Sequence, residues 1–242
     1  LEKDGAITDL DFYVFDHVCS DIEKWISEYV RNAHASGVVL GMSGGKDSLV
    51  VAKLCINALG KENVLGVIMP NGEMIDYEDA ERTCKILDMK YCVLDISKSY
   101  NEVLDNAKKV VSELGSVTTI NTAPRIRMTT LYAIAGSLNY LVANTSNLSE
   151  TMTGYTTKWG DNVGDFSPLG NFTKTEVCEI GELLGLPYDL VYKKPSDGLS
   201  GKTDEDKMGI KYADLDNYIR NLNNAELISE WIDSLEKEYN IE

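Results

Sequence analysis

The chain has 242 residues, 43% hydrophobic and 26% charged, as is usual for a globular protein with one sizeable core. Its formal net charge of −16 argues against a general nucleic-acid-binding surface, because such a surface needs clustered Lys and Arg. No apolar stretch approaches the roughly 18 residues of a membrane span and no secretory signal opens the sequence, so we expect a cytoplasmic protein without a membrane or nucleic-acid partner.

Helical and strand-like patterns alternate along the first part of the chain. Strands that alternate with helices indicate parallel βαβ units. We therefore predict an α/β fold, with a doubly wound parallel sheet flanked by helices, in a single domain that spans residues 1–242. The predicted helices cover residues 10–34, 49–59, 76–87, 99–114 and a segment that starts near Arg125, and the predicted strands cover 38–42, 64–69, 91–96 and 140–144.

The pattern changes after Glu150. Residues 151–172 are rich in Gly, Thr, Asn and Asp, and an irregular stretch of that length is usually functional or mobile. The sequence Thr173-Lys174-Thr175-Glu176 then matches a capping box, which predicts the start of a helix. A second polar loop is expected at 193–206. Two further helices are expected at 208–220 and 225–239.

The five cysteines form no C-x-x-C pair, and their number is odd. Cys55 and Cys178 fall on the apolar faces of predicted helices, which favours buried, reduced thiols. The two histidines, His17 and His34, lie in the first helical region. Nothing in their spacing supports a zinc site.

The most informative segment is Ser43-Gly44-Gly45-Lys46-Asp47-Ser48, between the first strand and its helix. Such a turn exposes backbone N–H groups at a helix N-terminus, where the helix dipole favours anions. A Walker A loop does not fit, because Leu40 stands where its first glycine should be and Asp47 where its hydroxyl should be. A carboxylate beside a phosphate loop implies Mg²⁺. The alternative is a glycine turn that only connects a strand to a helix.

This loop resembles the SGGxDS signature of the N-type ATP pyrophosphatases, whose fold is of the adenine nucleotide alpha hydrolase type. Further segments join it in order along the chain. Together the segments resemble NAD synthetase, the ammonia-dependent form, over roughly residues 38–218. The segments are 121–128, 144–150, 154–165 and 195–206.

The resemblance implies a ligase that converts deamido-NAD⁺, ATP and ammonia into NAD⁺, AMP and pyrophosphate through an adenylated nicotinate carboxylate. It also implies ATP as co-substrate, Mg²⁺ as cofactor and a homodimer. Glutamine-dependent relatives carry a long extra domain, and this chain is too short to hold one. We therefore expect no glutaminase domain and the use of ammonia itself.

The resemblance also implies a role for individual residues. The ATP-binding residues are Gly41, Met42, Ser43, Gly44, Gly45, Lys46, Asp47, Ser48, Thr145, Lys174 and Ser196. The residues that bind deamido-NAD⁺ are Arg125, Arg127, Lys158 and Asp165. The Mg²⁺ ligands are Asp47 and Glu150, and the catalytic residues are Asp47, Asp165 and Lys174.

Simpler interpretations remain for several of these residues. Arg125 and Arg127 could be solvated charges, Lys158 could be a surface lysine, and Glu150 could be a carboxylate that favours a helix N-terminus. Lys174 lies in a first helical turn, which is a poor place for a cation that has no anionic partner.

Two features depart from the family pattern. Asn144 stands where the family often has glycine. Residues 225–242 predict an acidic amphipathic helix, whereas the family commonly ends in a basic segment that contacts substrate. The second departure bears on which carboxylate is adenylated.

Two other functions are compatible with the glycine loop. One is another adenylating amidotransferase of the same loop group, GMP synthetase-like or tRNA-modifying, although the acidic composition disfavours tRNA. The other is a silent nucleotide-binding protein, which would have no need of both Asp47 and Glu150.

Overall fold

A computed structural model of the protein describes residues 9–193 and 204–221. Its centre is a parallel sheet with one strand from each predicted strand segment. The strands are β1 (Gly37–Gly41), β2 (Val64–Ile68), β3 (Lys90–Val93) and β4 (Tyr140–Val142). Their order across the sheet is β3-β2-β1-β4, so the chain turns back between β3 and β4 and places β4 beside β1.

Helices cover both faces of this sheet, which confirms the predicted doubly wound α/β fold. They are α1 (Asp9–Asn32), α2 (Lys46–Leu59), α3 (Tyr77–Ile86), α4 (Ser97–Lys108), α5 (Ser116–Leu138), α6 (Leu148–Thr153), α7 (Lys174–Leu183), α8 (Tyr188–Val191), α9 (Asp204–Met208) and α10 (Tyr212–Asn221). A short 3-10 helix, Lys61–Asn63, precedes β2.

Alternate residues of β1 divide the core between the two faces, because successive side chains of a strand point in opposite directions. Val38 and Leu40 pack into a cluster with α1, α2 and α7, whereas Val39 packs into a second cluster with α5. All three are fully buried. The strand is therefore enclosed from both sides, as its continuous apolar sequence predicts.

The position of the site follows from the pairing of β1 with β4. The two strands are parallel neighbours, with Val38 opposite Leu141 and Val39 opposite Val142. Their carboxyl ends therefore lie side by side, at the edge where parallel sheets bind ligands. The glycine loop leaves β1 there, and the segment that contains Glu150 leaves β4 there.

One helix boundary differs clearly from the prediction. The helix expected to start near Arg125 starts at Ser116 instead, with Pro124 inside it. Proline is unfavourable inside a helix, so a helix that runs through Pro124 is not expected from the sequence. Pro124 lies close to the loop that packs on α5, because a Cβ placed on Gly160 would be 2.9 Å from the Cβ of Pro124. Pro124 has no backbone N–H to donate within the helix, and a nearby side chain adds one bond, from the Thr122 Oγ1 to the carbonyl of Thr118 at 2.7 Å.

Other boundaries differ by smaller amounts. The segment 151–172 is largely irregular as predicted, but α6 ends inside it at Thr153. The helix expected to continue to residue 114 ends at Lys108. The helix expected at 208–220 is α10, which starts at Tyr212 and is preceded by the short α9. The helix expected at 225–239 lies outside the described residues.

The cysteines behave as predicted. None of the five forms a disulfide, and Cys55, Cys84 and Cys178 are buried. Burial raises the pKa of the Cys55 thiol to about 12, so this thiol stays protonated and packs as a small apolar side chain. Within the described ranges, no helix is both long and apolar enough to cross a membrane.

Candidate active site

The loop between β1 and α2 has a conformation that requires glycine. Gly44 has φ +80°, and a Cβ placed on it would lie 2.5 Å from the carbonyl oxygen of Asp76. Gly45 is the N-cap residue of α2 and provides no side-chain cap. The N-terminus of α2 therefore presents its backbone N–H groups at the end of the strand, as a phosphate site requires.

Two serine hydroxyls hold this loop in shape. The Ser43 Oγ accepts a hydrogen bond from the backbone N–H of Gly45 at 3.2 Å. The Ser48 Oγ donates to the carbonyl of Gly45 at 2.9 Å and lies 3.2 Å from the Ser43 Oγ. Ser48 is buried and Ser43 is exposed, so Ser43 is the hydroxyl that a ligand can reach.

A single ammonium joins the carboxylates at the two strand ends. The Lys174 Nζ donates to the Asp47 Oδ2 at 2.6 Å and to the Glu150 Oε1 at 2.9 Å. The Asn147 Nδ2 donates to the other Asp47 oxygen at 3.0 Å. The side chains of Lys174, Asp47 and Glu150 are only 6%, 15% and 18% exposed. The structure thus brings these three predicted residues together, and we call them the carboxylate–lysine cluster.

The cluster has more negative than positive charge, and this affects the pKa values. Burial and the nearby Asp47 carboxylate together raise the pKa of Glu150 to about 7. Burial alone would lower the pKa of Lys174, but the Asp47 and Glu150 carboxylates outweigh it and raise that pKa above its usual value. The two carboxylates thus favour the protonated form of Lys174, and they carry the negative charge of the cluster.

Two capping boxes fix where the cluster residues stand. In α6, the Asn147 side chain accepts from the Glu150 N–H, and the Glu150 side chain accepts from the Asn147 N–H. Thr173 and Glu176 form the same reciprocal pair at the start of α7. The second box confirms the predicted one, and it places Lys174 as the first residue of α7. Glu150 is both a helix-start carboxylate and a member of the cluster, so the two interpretations of it are compatible.

Asn147 was missed by the sequence interpretation. It stands three residues before Glu150, and this N-cap spacing was a readable signal. Its side chain links the Asp47 carboxylate to the backbone of Glu150, because its amide nitrogen donates to Asp47 and its oxygen accepts from the Glu150 N–H. It is fully buried.

Lys46 does not point into the cluster. Its side chain is buried, and its Nζ lies 3.4 Å from the Cys178 Sγ. Burial raises the pKa of the Cys178 thiol, although the Lys46 ammonium opposes the shift. Lys46 therefore reaches between α2 and α7.

A second group of cations lies on α5 and the loop that packs on it. The Arg125 Nε donates to the carbonyl of Lys158 at 3.1 Å. The Thr157 Oγ1 donates to the Asn121 Oδ1 at 3.0 Å and holds the loop against the helix. The Lys158 ammonium lies 5.6 Å from the centre of the Trp159 ring. Arg125 and Lys158, both predicted to bind deamido-NAD⁺, are thus neighbours.

Arg127 is oriented differently. Its Nε donates to the carbonyl of Met69, just beyond β2, at 3.0 Å. Burial lowers its pKa, and Asp161 opposes that shift. Arg127 is therefore not a solvated charge, and it lies near the carboxyl end of the sheet.

Asp165 lies at the outer edge of β4. Its Oδ2 accepts from the Val142 N–H at 2.7 Å, and its Oδ1 accepts from the Tyr132 hydroxyl at 3.3 Å. The described residues include no hydrogen bond from Asp165 to the carboxylate–lysine cluster. The structure therefore gives Asp165 a clear role in holding β4 to α5 and its following loop.

Three other sequence features are placed as follows. Thr145 is half-buried in the segment between β4 and α6, and Ser196 lies outside the described residues. Asn144, which stands where the family often has glycine, is buried and makes two hydrogen bonds. Its amide nitrogen donates to the carbonyl of Asp161 at 2.8 Å, and its oxygen accepts from the Ser146 N–H at 2.8 Å.

Comparisons with known proteins agree with this geometry. The family model "NAD synthase" matches residues 18–241. The chain is 46% identical to the NH(3)-dependent NAD(+) synthetase of Thermococcus sibiricus over 85% of this chain and 80% of that protein. It is 42% identical to the enzyme of the same name from Finegoldia magna, over 86% of each.

Solved structures give the same picture. The NMN synthetase of Francisella tularensis aligns with a TM-score of 0.79 at 31% identity, over 94% of this chain and 97% of that one. The NH3-dependent NAD synthetase of Campylobacter jejuni aligns with a TM-score of 0.72 at 31% identity, over 92% and 93%. With a matching family model over most of its length and close relatives of one name, the chain belongs to the NAD synthase family.

Proposed function

We propose that this protein is an ammonia-dependent NAD⁺ synthetase, an AMP-forming ligase that takes deamido-NAD⁺, ATP and ammonia to NAD⁺. The observation that carries the proposal is the carboxylate–lysine cluster beside a glycine loop, at the carboxyl ends of two adjacent parallel strands. The names of the similar proteins support the same reaction.

The reaction needs an activated carboxylate, because a free carboxylate resists attack by nucleophiles. An oxygen of the nicotinate carboxylate attacks the α-phosphorus of ATP, and the bond to the bridging oxygen breaks to release pyrophosphate. The nitrogen of ammonia then attacks the acyl carbon, AMP leaves with the bonding electron pair, and the nitrogen loses a proton. The protein contributes mainly position and charge stabilisation.

The chain's own residues fit these steps. The Ser43 hydroxyl and the backbone N–H groups in the first turn of α2, which Gly45 leaves without a side-chain cap, are available to phosphate oxygens. We propose that the Lys174 ammonium stabilises the negative charge that grows on the leaving pyrophosphate. Both oxygens of Asp165 already accept hydrogen bonds, from Val142 and Tyr132. We therefore propose that Asp165 affects the ammonia site indirectly, because it holds the edge of β4 in place.

The two carboxylates of the cluster fit a magnesium ion. Mg²⁺ is usually held by one or two carboxylates together with substrate phosphates, and Asp47 and Glu150 supply such a pair. Among the described residues, no group of three or more His, Cys, Asp or Glu side chains could hold a metal ion, so a Mg²⁺ held by Asp47 and Glu150 would need further oxygens from substrate or water. When bound, the ion would neutralise charge on the phosphates.

An incubation with deamido-NAD⁺, ATP, Mg²⁺ and ammonium tests the proposal. We expect NAD⁺, AMP and pyrophosphate in equal amounts by mass spectrometry, because one ATP is cleaved for each amide formed. A parallel incubation uses nicotinic acid mononucleotide, since one structural relative is named an NMN synthetase. Formation of ADP and phosphate would contradict the mechanism. A higher rate with nicotinic acid mononucleotide than with deamido-NAD⁺ would contradict deamido-NAD⁺ as the substrate.

Removing one cluster carboxylate should weaken the metal requirement specifically. We expect Glu150→Gln to raise the Mg²⁺ concentration for half-maximal rate by about tenfold or more, since one anionic ligand is lost. Lys174 keeps Asp47 as a partner, so the variant should fold. Glu28→Gln on α1, an exposed site, is the matched control. An unchanged Mg²⁺ dependence would exclude Glu150 as a ligand.

We propose that Arg125 and Lys158 bind the phosphates of the dinucleotide. Arg125 is bonded only to a backbone carbonyl in the described structure, so its remaining N–H donors can reach an anion. We expect Arg125→Ala to raise KM for deamido-NAD⁺ about tenfold, the usual effect of losing a charged hydrogen bond, and to leave KM for ATP unchanged. Arg31→Ala, at the exposed end of α1, is the control. Equal KM values for the variant and the wild type would refute this role.

We also propose that the protein is a cytoplasmic homodimer. Large apolar side chains are exposed on α1 and α5, including Trp25 at 42%, Tyr29 at 37% and Leu138 at 45%. The Trp25 and Tyr29 rings lie side by side, with their centroids 5.6 Å apart, and neighbouring exposed apolar side chains of this kind are often covered by a second subunit. Sedimentation equilibrium at micromolar concentration should give twice the chain mass. A monomer with full activity would contradict the proposed homodimer.

A further inference from the structure

Lys174 stands at a position that its own helix disfavours. It is the first residue of α7, where the partial positive charge of the helix dipole repels a cation. Asp47 and Glu150 attract its ammonium, but they do not fix the backbone that carries it. The capping box at Thr173 fixes part of this backbone, and further contacts come from another helix, α10.

One face of α10 reaches the start of α7 at three successive places. Tyr212, Asp216 and Arg220 are four residues apart, so they lie on the same side of the helix. The Tyr212 ring centre is 5.4 Å from the Lys174 ammonium. The Arg220 Nε donates to the Glu176 Oε1 at 2.7 Å, so it also holds the capping residue of α7.

Asp216 makes the central contact. Its Oδ2 accepts from the Thr175 N–H at 2.7 Å, and its Oδ1 accepts from the Ser149 hydroxyl. The Ser149 Oγ in turn accepts from the Lys174 N–H at 2.9 Å. These N–H groups belong to the first turn of α7, where a helix provides no acceptors of its own. Asp216 is 3% exposed and Ser149 is fully buried, so water does not replace these bonds.

The same chain of bonds fixes the other side of the cluster, because Ser149 directly precedes Glu150 in α6. One buried carboxylate therefore holds the backbone beneath the ammonium of Lys174 and the backbone next to Glu150. We propose that Asp216 is a positioning residue for this ligase. It acts through Ser149 and Thr175 to hold Lys174 and Glu150 in their positions relative to each other. The proposal rests on the function proposed above.

Asparagine cannot replace this carboxylate, although its shape is the same. Both groups that face Asp216 are donors, the Thr175 N–H and the Ser149 hydroxyl. The amide of Asn has one acceptor oxygen, which can keep the Thr175 N–H, and one donor nitrogen, so the bond from the Ser149 hydroxyl is reversed or lost and the bond from Thr175 no longer goes to a charged acceptor. The matched control is Asp214→Asn, which makes the same change at an exposed position of α10.

The first measurement needs no substrate. Amide hydrogen exchange in the free protein should be faster at Lys174 and Thr175 in Asp216→Asn and unchanged in Asp214→Asn. The second measurement is steady-state kinetics. We expect Asp216→Asn to lower kcat about tenfold, with KM for deamido-NAD⁺ unchanged, because a displaced ammonium stabilises the transition state less.

A double variant separates positioning from general stability. Ser149→Ala removes the link to the Lys174 N–H and keeps the bond from Asp216 to Thr175. If both act through one chain of bonds, Ser149→Ala/Asp216→Asn should be about as slow as the slower single variant. If Asp216→Asn does not fold, Ser149→Ala alone carries the same exchange and kcat tests.

The remaining outcomes are also decisive. Faster exchange with an unchanged kcat, or a rise in both KM values with kcat unchanged, would make α10 a structural support only and overturn the proposal. Unchanged exchange would overturn it as well. A wild-type protein that forms no NAD⁺ refutes the proposed function instead. In that case the hydrogen-exchange result still shows whether Asp216 holds the backbone of Lys174.

Discussion

The buried contact between one ammonium and two carboxylates constrains the rest of this molecule. A charged group taken out of water costs several kcal/mol unless it is paired with good geometry. Lys174, Asp47 and Glu150 are all largely buried, and they come from three separate parts of the chain. The ends of β1 and β4 and the start of α7 must therefore meet within hydrogen-bond distance. Because the carboxylates outnumber the ammonium, the completed cluster still favours a further cation.

The fold meets this requirement with ordinary devices. Parallel pairing of β1 with β4 brings two chain segments to one edge of the sheet. A capping box at each of α6 and α7 then fixes which residue begins each helix, and with it the direction of Glu150 and Lys174. The first turns of α6 and α7 are thus each capped by a side chain. The start of α2 is the exception, because Gly45 has no side chain to cap it, and the N–H groups of its first turn are left for an incoming anion.

Much of this could be predicted from the sequence, because the signals are local. The glycine loop, the capping box at Thr173 and the strands of the sheet depend on residues close together in the chain. The start of α5 could not be predicted, because proline is unfavourable inside a helix and α5 nevertheless runs through Pro124. The face of α10 was missed for a related reason. A tyrosine, an aspartate and an arginine at helical spacing look like a solvated surface, and only the tertiary contact with α7 buries the aspartate.

An acidic chain that binds two anionic substrates needs a particular distribution of its cations. A net charge of −16 repels anions at long range, so recognition must be local. On the proposed ATP side, two carboxylates offset the Lys174 charge, so phosphate binding would depend on backbone N–H groups, hydroxyls and a metal ion as well as on this ammonium. On the proposed dinucleotide side, Arg125 and Lys158 share an exposed surface without a carboxylate partner in their described contacts. The two anions would thus be bound in different ways, neither of which needs an extended basic surface. This is why the composition argues against nucleic-acid binding while it is compatible with two nucleotide substrates.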